Sequence, residues 1–139
     1  MLPSPALATV LRLLGEAKLP AVDLTDRHME HFFACGTEDA PCGVVGLELH
    51  GDDALLRSLT VDAQTRGRGC GKALVHHAER HAREHRARRM YLLTTTAADF
   101  FARMGYKRIE RDRAPQAIRA TSEFANLCPI SSVLMTKEL

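Results

Sequence analysis

The sequence predicts an α+β domain built on a mostly antiparallel sheet, and three observations carry that reading. Three strand-like runs follow one another between residues 31 and 61, close enough in sequence to form a meander. A glycine-rich loop then opens a long amphipathic helix. A continuous apolar strand follows that helix, which makes one strand–helix–strand crossover.

In chain order, Ser4-Pro5 suits the opening of a helix over Ala6 to Ala17, where Leu7, Val10, Leu11 and Leu14 recur at helical spacing. Leu19-Pro20 stops it, and Thr25-Asp26 starts a second, short helix. Strands are expected near His31 to Cys35, at Gly43 to His50 and at Ala54 to Val61, the last two joined through Gly51-Asp52-Asp53. After Gly71 a helix runs to about Arg86, with Leu74, Val75, Ala78 and Ala82 on its apolar stripe. A buried strand over Met90 to Thr94 follows, then a short helix with Phe100, Phe101 and Met104 that ends at Gly105, a residue suited to a left-handed cap. A strand near Tyr106 to Arg111, an irregular stretch opened by Ala114-Pro115 and a last strand near Ser132 to Lys137 complete the chain.

At 139 residues, with 45% hydrophobic and 26% charged, the chain suits one core. No repeat, low-complexity tract or Gly/Ser linker divides it, so residues 1–139 are read as one domain. Nineteen Lys and Arg against seventeen Asp and Glu leave a charge of +2, too even for a protein that lives on nucleic-acid phosphates or an anionic membrane. The absence of Trp also argues against a stacking platform for single strands. No apolar run approaches the ~20 residues of a membrane-spanning helix. Met1-Leu2-Pro3-Ser4-Pro5 lacks the basic flank of a secretory signal, so a cytoplasmic protein without nucleic-acid or membrane partners is expected.

Cys35, Cys42, Cys70 and Cys128 form no C-x-x-C pair and are read as reduced thiols. Cys35 and Cys42 are spaced to meet across a hairpin, either as small buried hydrophobes or as ligands for a soft metal or metalloid. His77, His81 and His85 recur at i, i+4 and i+8, but Glu79 is misplaced for H-E-x-x-H. That row reads as a helix flank, and no metal is expected.

The chemistry concentrates in Thr65-Arg66-Gly67-Arg68-Gly69-Cys70-Gly71-Lys72, between a strand and a helix. Successive glycines there let backbone N–H groups converge on an anion at a helix N-terminus. A Rossmann fingerprint would open a repeating βαβ unit, whereas this loop follows a meander. A Walker A loop ends in Gly-Lys-Ser/Thr, whereas Ala73 follows Gly71-Lys72 here.

Arg66-Gly67-Arg68-Gly69-Cys70-Gly71 resembles the R/Q-x-x-G-x-G/A acetyl-CoA loop of GNAT-type N-acetyltransferases, and Leu59-Thr60-Val61 looks like their fourth strand. Ala98-Asp99-Phe100-Phe101-Ala102-Arg103-Met104-Gly105-Tyr106 is similar to the family's A-x-x-F-Y-x-x-x-G-F/Y segment. The resemblance implies a sheet of about six to seven strands, flanked by about four helices and splayed between its fourth and fifth strands. It also implies acetyl-CoA as acetyl donor. The amides of Gly67, Arg68, Gly69, Cys70, Gly71 and Lys72 would hold the pyrophosphate, with Arg66, Arg68 and Lys72 adding charge at the rim. Leu59, Thr60 and Val61 would pair with the pantetheine arm beside Phe101, and the Leu59 N–H would face the thioester oxygen. Relatives that carry an acid Tyr have it where this chain has Phe101, which cannot donate a proton. Tyr106 or water substitutes, or the thiolate leaves unaided; the last is favoured. Glu48 is the candidate base and Glu123 a second. Such domains commonly pair, so a homodimer is in keeping with the resemblance.

Thr94-Thr95-Thr96-Ala97 before Phe100-Phe101 is similar to the acetyltransferase domain of N-acetylglutamate synthases, as is the final Ser131-Ser132-Val133-Leu134-Met135. From Leu11 onward the chain further resembles the small GNAT subgroup of arsenic-resistance operons, through Leu55-Leu56-Arg57-Ser58-Leu59 and Ile118-Arg119-Ala120-Thr121-Ser122-Glu123-Phe124. This implies an acidic amino-acid acceptor or an organoarsenical analogue such as arsinothricin. Arg57 and Arg119, with Ser58, Thr95, Thr96, Ser122 and Ser131, would hold its two acidic ends, unless both arginines pair with internal carboxylates. The alternatives are a GNAT enzyme for another amine and a non-catalytic acyl-CoA or arsenical-binding module.

Overall fold

Alternation along the strands decides which helix covers which face of the sheet, because successive side chains point to opposite sides. In the computed structural model, which describes residues 1–139, the strands are β1 (Leu2–Pro3), β2 (Phe32–Gly36), β3 (Pro41–His50), β4 (Asp53–Val61), β5 (Arg89–Thr94), β6 (Lys107–Arg108) and β7 (Val133–Glu138). The helices are α1 (Leu7–Glu16), α2 (Cys70–Glu84), α3 (Ala98–Arg103) and α4 (Gln116–Arg119). One face of the sheet, with Val45, Leu47, Leu56, Met90 and Leu92, packs against Leu74, Val75, Ala78 and Ala82 of α2. Val44 and Phe32 point the other way, to Val10, Leu13 and Leu14 of α1. Leu55, Tyr91 and Leu134 meet Ile118 of α4. Burial on both faces explains why β3 hides five residues in a row, Gly43 to Leu47.

The sheet order is β1-β2-β3-β4-β5-β7-β6. All pairs are antiparallel except β4 with β5, which the α2 crossover makes parallel. That contact joins only Asp53, Ala54 and Leu55 to Arg89, Met90 and Tyr91, after which the two strands part. Glu79 of α2, only 2% exposed, accepts a hydrogen bond from Tyr106 Oη at 2.8 Å and one from Lys137 Nζ at 3.0 Å, so its buried charge is paired.

Element order and type follow the sequence reading, with four differences. The short helix expected from Thr25-Asp26 is a 3-10 helix over Asp26–His31, so the strand expected near His31 begins at Phe32. A two-residue β1, which the sequence reading does not include, forms and pairs Leu2 with Ala34 of β2. The strand expected over Tyr106 to Arg111 shrinks to Lys107–Arg108, because Tyr106 turns inward to Glu79 and Arg111–Arg113 form a 3-10 turn. The irregular stretch after Ala114-Pro115 contains α4 and a π-helical turn over Glu123–Leu127, too short to declare a periodicity.

Gly46 of β3 lies under the Phe32 ring, and an added Cβ would overlap three ring carbons. Gly46→Ala is therefore expected to cost about 1–3 kcal/mol, read from urea denaturation. Gly15→Ala, where a Cβ meets open space inside α1, is expected to gain up to about 1 kcal/mol.

Candidate active site

A bulge sets the geometry. Gly46 faces Arg57 and Val44 faces Thr60, so β4 carries one more residue than β3 across this step. Ser58 absorbs the surplus in a left-handed conformation, φ 59°, and Leu59 follows it on the stretch of β4 that has parted from β5. Two spaces open along that parting. The inner one, about 540 Å³, is lined by Arg57, Ser58, Thr94, Thr95, Glu123 and Ser132 among others. The outer one, about 390 Å³, is bounded by Thr60, Val61, Arg66, Gly71 and Phe100. Leu19, Leu59, Thr96 and Ala97 line both.

The glycine-rich loop borders the outer groove. Gly67 and Gly69 hold φ 84° and 81°, which only glycine adopts without strain, and Gly69 caps α2. The first helical bond runs from Ala73 N–H to Gly69 O at 3.0 Å, which leaves the amides of residues 69–72 for a ligand, whereas the Arg68 N–H, expected among them, is turned back to Thr65 O at 3.3 Å. Those donors and the helix dipole fit a phosphate. Arg66 Nε is tied back to Val61 O at 3.2 Å, whereas Arg68 and Lys72 are exposed.

The inner space is built around Arg57, whose side chain is 1% exposed. Nη1 donates to Asp23 Oδ2 at 2.6 Å and Glu48 Oε2 at 2.8 Å, Nη2 to Asp23 Oδ1 at 2.8 Å, and Nε to Ser58 Oγ at 3.1 Å. Glu123 Oε1 forms an ion pair with Nη2 at 2.9 Å. Burial works against charge on Arg57, but the Asp23 hydrogen bond and the Glu123 charge outweigh it and hold the guanidinium charged. Burial also opposes ionisation of Asp23, yet Arg57 prevails and its carboxyl lies below the usual range. At Glu123 burial prevails instead, and its carboxyl is pushed up because Arg57 and the Cys128 hydrogen bond offset only part of that penalty. Cys128 Sγ donates to Glu123 Oε2 at 2.8 Å, and burial first, then that bond, pushes the thiol up to about 12.

A model of the acetyltransferase (GNAT) domain matches residues 28–108, more than half of the chain. The chain belongs to the GNAT acetyltransferase family. An uncharacterized N-acetyltransferase of Chlorobaculum tepidum is 34% identical over 92 residues, covering 66% of this chain and 59% of that protein. The chain thus spans well under two thirds of this curated relative's length. The structure of N-acetylglutamate synthase from Neisseria gonorrhoeae, complexed with coenzyme A and N-acetyl-glutamate, superposes with a TM-score of 0.79 at 21% identity, over 96% of this chain and 32% of that one. Rv2747 from Mycobacterium tuberculosis, in complex with CoA and NLQ, gives 0.80 at 20% identity, over 99% and 96%. At such identities these two establish the fold, and the splay predicted from the GNAT resemblance is part of it.

Within the GNAT frame, the expected site residues fall into three groups. Arg57, Ser58, Leu59, Thr95, Thr96 and Phe101 line the inner space, and Thr60, Val61, Arg66 and Gly71 the outer one. Phe100, not singled out for the donor side, lines the outer groove, while Phe101 is 4% exposed and packs on Tyr106. Glu48 touches the inner space only through Arg57. Gly67, Arg68, Gly69, Cys70 and Lys72 of the loop, and Arg119, Ser122 and Ser131, lie off both linings. Ile118 is the buried residue of α4, so Arg119 faces solvent, where Nη2 bonds Gln116 Oε1 at 3.4 Å. Lys18, Asp23, Cys128 and Ser132 are not singled out by the sequence for this site; Ser132 follows Ser131 and Cys128 is bonded to Glu123, whereas Lys18 lies just past the end of α1 and Asp23 is recruited from a loop 34 positions away from Arg57. Tyr106 is far from the role of acid, being buried against Glu79 with burial raising its hydroxyl further from ionisation. The expectation of four reduced thiols is corrected: Cys35 and Cys70 form a disulfide, because β2 and the start of α2 meet at the sheet edge of the loop. No helix is long and apolar enough to cross a membrane.

The two shifted carboxyls predict opposite pH effects. Glu123 binds its proton at higher pH folded than unfolded, so its contribution favours folding below the usual glutamate range and is lost as pH rises through the raised value. Asp23 contributes stability above the usual aspartate range that is lost as pH falls through its lowered value. Urea midpoints measured from acid to neutral pH are expected to show that Glu123→Gln removes the loss on the upper side and leaves the acid-side loss in place.

Proposed function

We propose that this GNAT domain transfers the acetyl group of acetyl-CoA to the primary amine of a small acidic amino acid or an organoarsenical analogue. The observation that carries the two-substrate reading is the shared wall of Leu19, Leu59, Thr96 and Ala97, where the outer groove meets the inner space. Acetyl-CoA supplies an activated thioester. The free amides at the start of α2 are assigned to its pyrophosphate, the unpaired edge of β4 to the pantetheine arm, and the Leu59 N–H to the developing oxyanion. The amine forms its bond to the acyl carbon as the C–S bond breaks, and its proton passes by water toward the Glu48–Arg57–Asp23 cluster. Phe101 offers no proton and Tyr106 Oη is spent on Glu79, so the thiolate, with a pKa near ~8.5, leaves unprotonated.

Lys18 and Arg57 are the cations lining the inner space, with hydroxyls from Ser58, Thr95, Thr96 and Ser132. An acidic acceptor binds by displacing Glu123 from Arg57 Nη2, and the raised Glu123 carboxyl lowers the cost by accepting a proton. The N-acetyl-glutamate in the N-acetylglutamate synthase structure supports the same class of acceptor. A second reading, a cationic amine without a carboxylate, is favoured by the three carboxylates already on Arg57.

Release of CoA thiol at fixed acetyl-CoA distinguishes them. Arsinothricin, phosphinothricin and glutamate are expected to support release while a polyamine does not; the reverse pattern establishes the second reading. Lys18→Ala is expected to raise KM for the acidic acceptors about tenfold with kcat little changed.

A further inference from the structure

Beside the donor loop, on the side away from the acceptor space, three sulfurs converge. Cys35 lies on β2, Cys42 on β3 and Cys70 at the first residue of α2. Cys42 Sγ is 2.9 Å from Cys35 Sγ and 3.7 Å from Cys70 Sγ, and all three are half-buried. Two glycines make the room. A Cβ on Gly43 would stand 3.1 Å from Cys35 Sγ, and one on Gly36 would stand 3.3 Å from Cys42 Sγ.

Two chemistries suit three adjacent sulfurs, and the geometry separates them. Attack of a Cys42 thiolate on the Cys35–Cys70 disulfide needs the three sulfurs in line, which would put Cys42 about 5 Å from Cys70. At 3.7 Å they form a triangle instead. A triangle is what one ion bound by three thiolates requires, with sulfurs about 4 Å apart at a metal–sulfur distance of about 2.3 Å. We propose that Cys35, Cys42 and Cys70, once reduced, form a three-thiolate site for a soft d10 divalent cation, with its remaining position open to solvent. A dithiol reductant supplies two electrons and two protons to the Cys35–Cys70 bond and becomes a disulfide itself. Three thiol protons then leave as the cation binds, giving a complex of charge −1. The positive end of α2, with Arg66, Arg68 and Lys72 on the same loop, favours that anion. Because Cys70 opens the helix whose first amides are assigned to the pyrophosphate, the cation would also fix the start of the donor loop.

The probe is Cd2+, titrated into the full chain after reduction with a dithiol and anaerobic desalting. One Cd2+ per chain is expected, with sulfur-to-cadmium charge-transfer absorption that is lost in Cys42→Ser and kept in Cys128→Ser. Absorption that survives Cys42→Ser, or that depends on Cys128, overturns the proposal. A readout on the unmodified sequence guards against misfolding of a variant: bound Cd2+ is expected to protect Cys35, Cys42 and Cys70 together from alkylation, mapped by mass spectrometry. Labelling of any of the three in the Cd2+-loaded chain is equally decisive against it.

Discussion

Backbone groups on a strand edge must find partners, and the edge of β4 beyond Leu55 has lost those of β5. Both spaces open along that loss. The bulge at Ser58 and the return of β5 toward β7 separate the strands, α2 covers one face of the gap and the Glu123–Leu127 turn approaches the other. The parting is stable because neither strand is left as a true edge: β4 stays paired along β3, and β5 along all six of its residues with β7. The sheet thus keeps its continuity while leaving a length of β4 unpaired on the side of β5.

Arg57 does for the inner space what the bulge does for the outer groove. Its guanidinium gathers Asp23 from the loop after α1, Glu48 from β3 and Glu123 from the π-helical turn, so one buried cation positions three segments distant in sequence. Removing it would leave three carboxylates facing one another, whereas removing any single carboxylate leaves two. Such asymmetry makes Arg57 a structural keystone, and the raised Glu123 carboxyl marks where the cluster is least committed.

Local chemistry made much of this readable from the chain. The loop from Arg66 to Lys72 announces itself because glycine is needed where φ is positive, and α2 because Leu74, Val75, Ala78 and Ala82 repeat at helical spacing. The acceptor side was far less legible. Arg57 with its hydroxyl neighbours could be picked out, but its partners Asp23 and Glu123 lie 34 and 66 positions away, and no spacing rule connects them. Arg119 was drawn toward the site by its motif, yet a single turn of α4 buries Ile118 and sends the arginine outward. Cys70 looked like a loop residue because its amide belongs to the loop, while its side chain belongs to β2 and β3.

The shared wall between the two spaces has a kinetic meaning. Leu19, Leu59, Thr96 and Ala97 include no thiol or amine to hold an acyl group between half-reactions, and the Cys128 thiol in the inner space keeps its proton with Glu123. If, as proposed, the donor occupies the outer groove and the acceptor the inner space, neither need leave before the other arrives. Under the proposed reaction the order of events is therefore a ternary complex and direct transfer rather than a ping-pong exchange through an acylated protein.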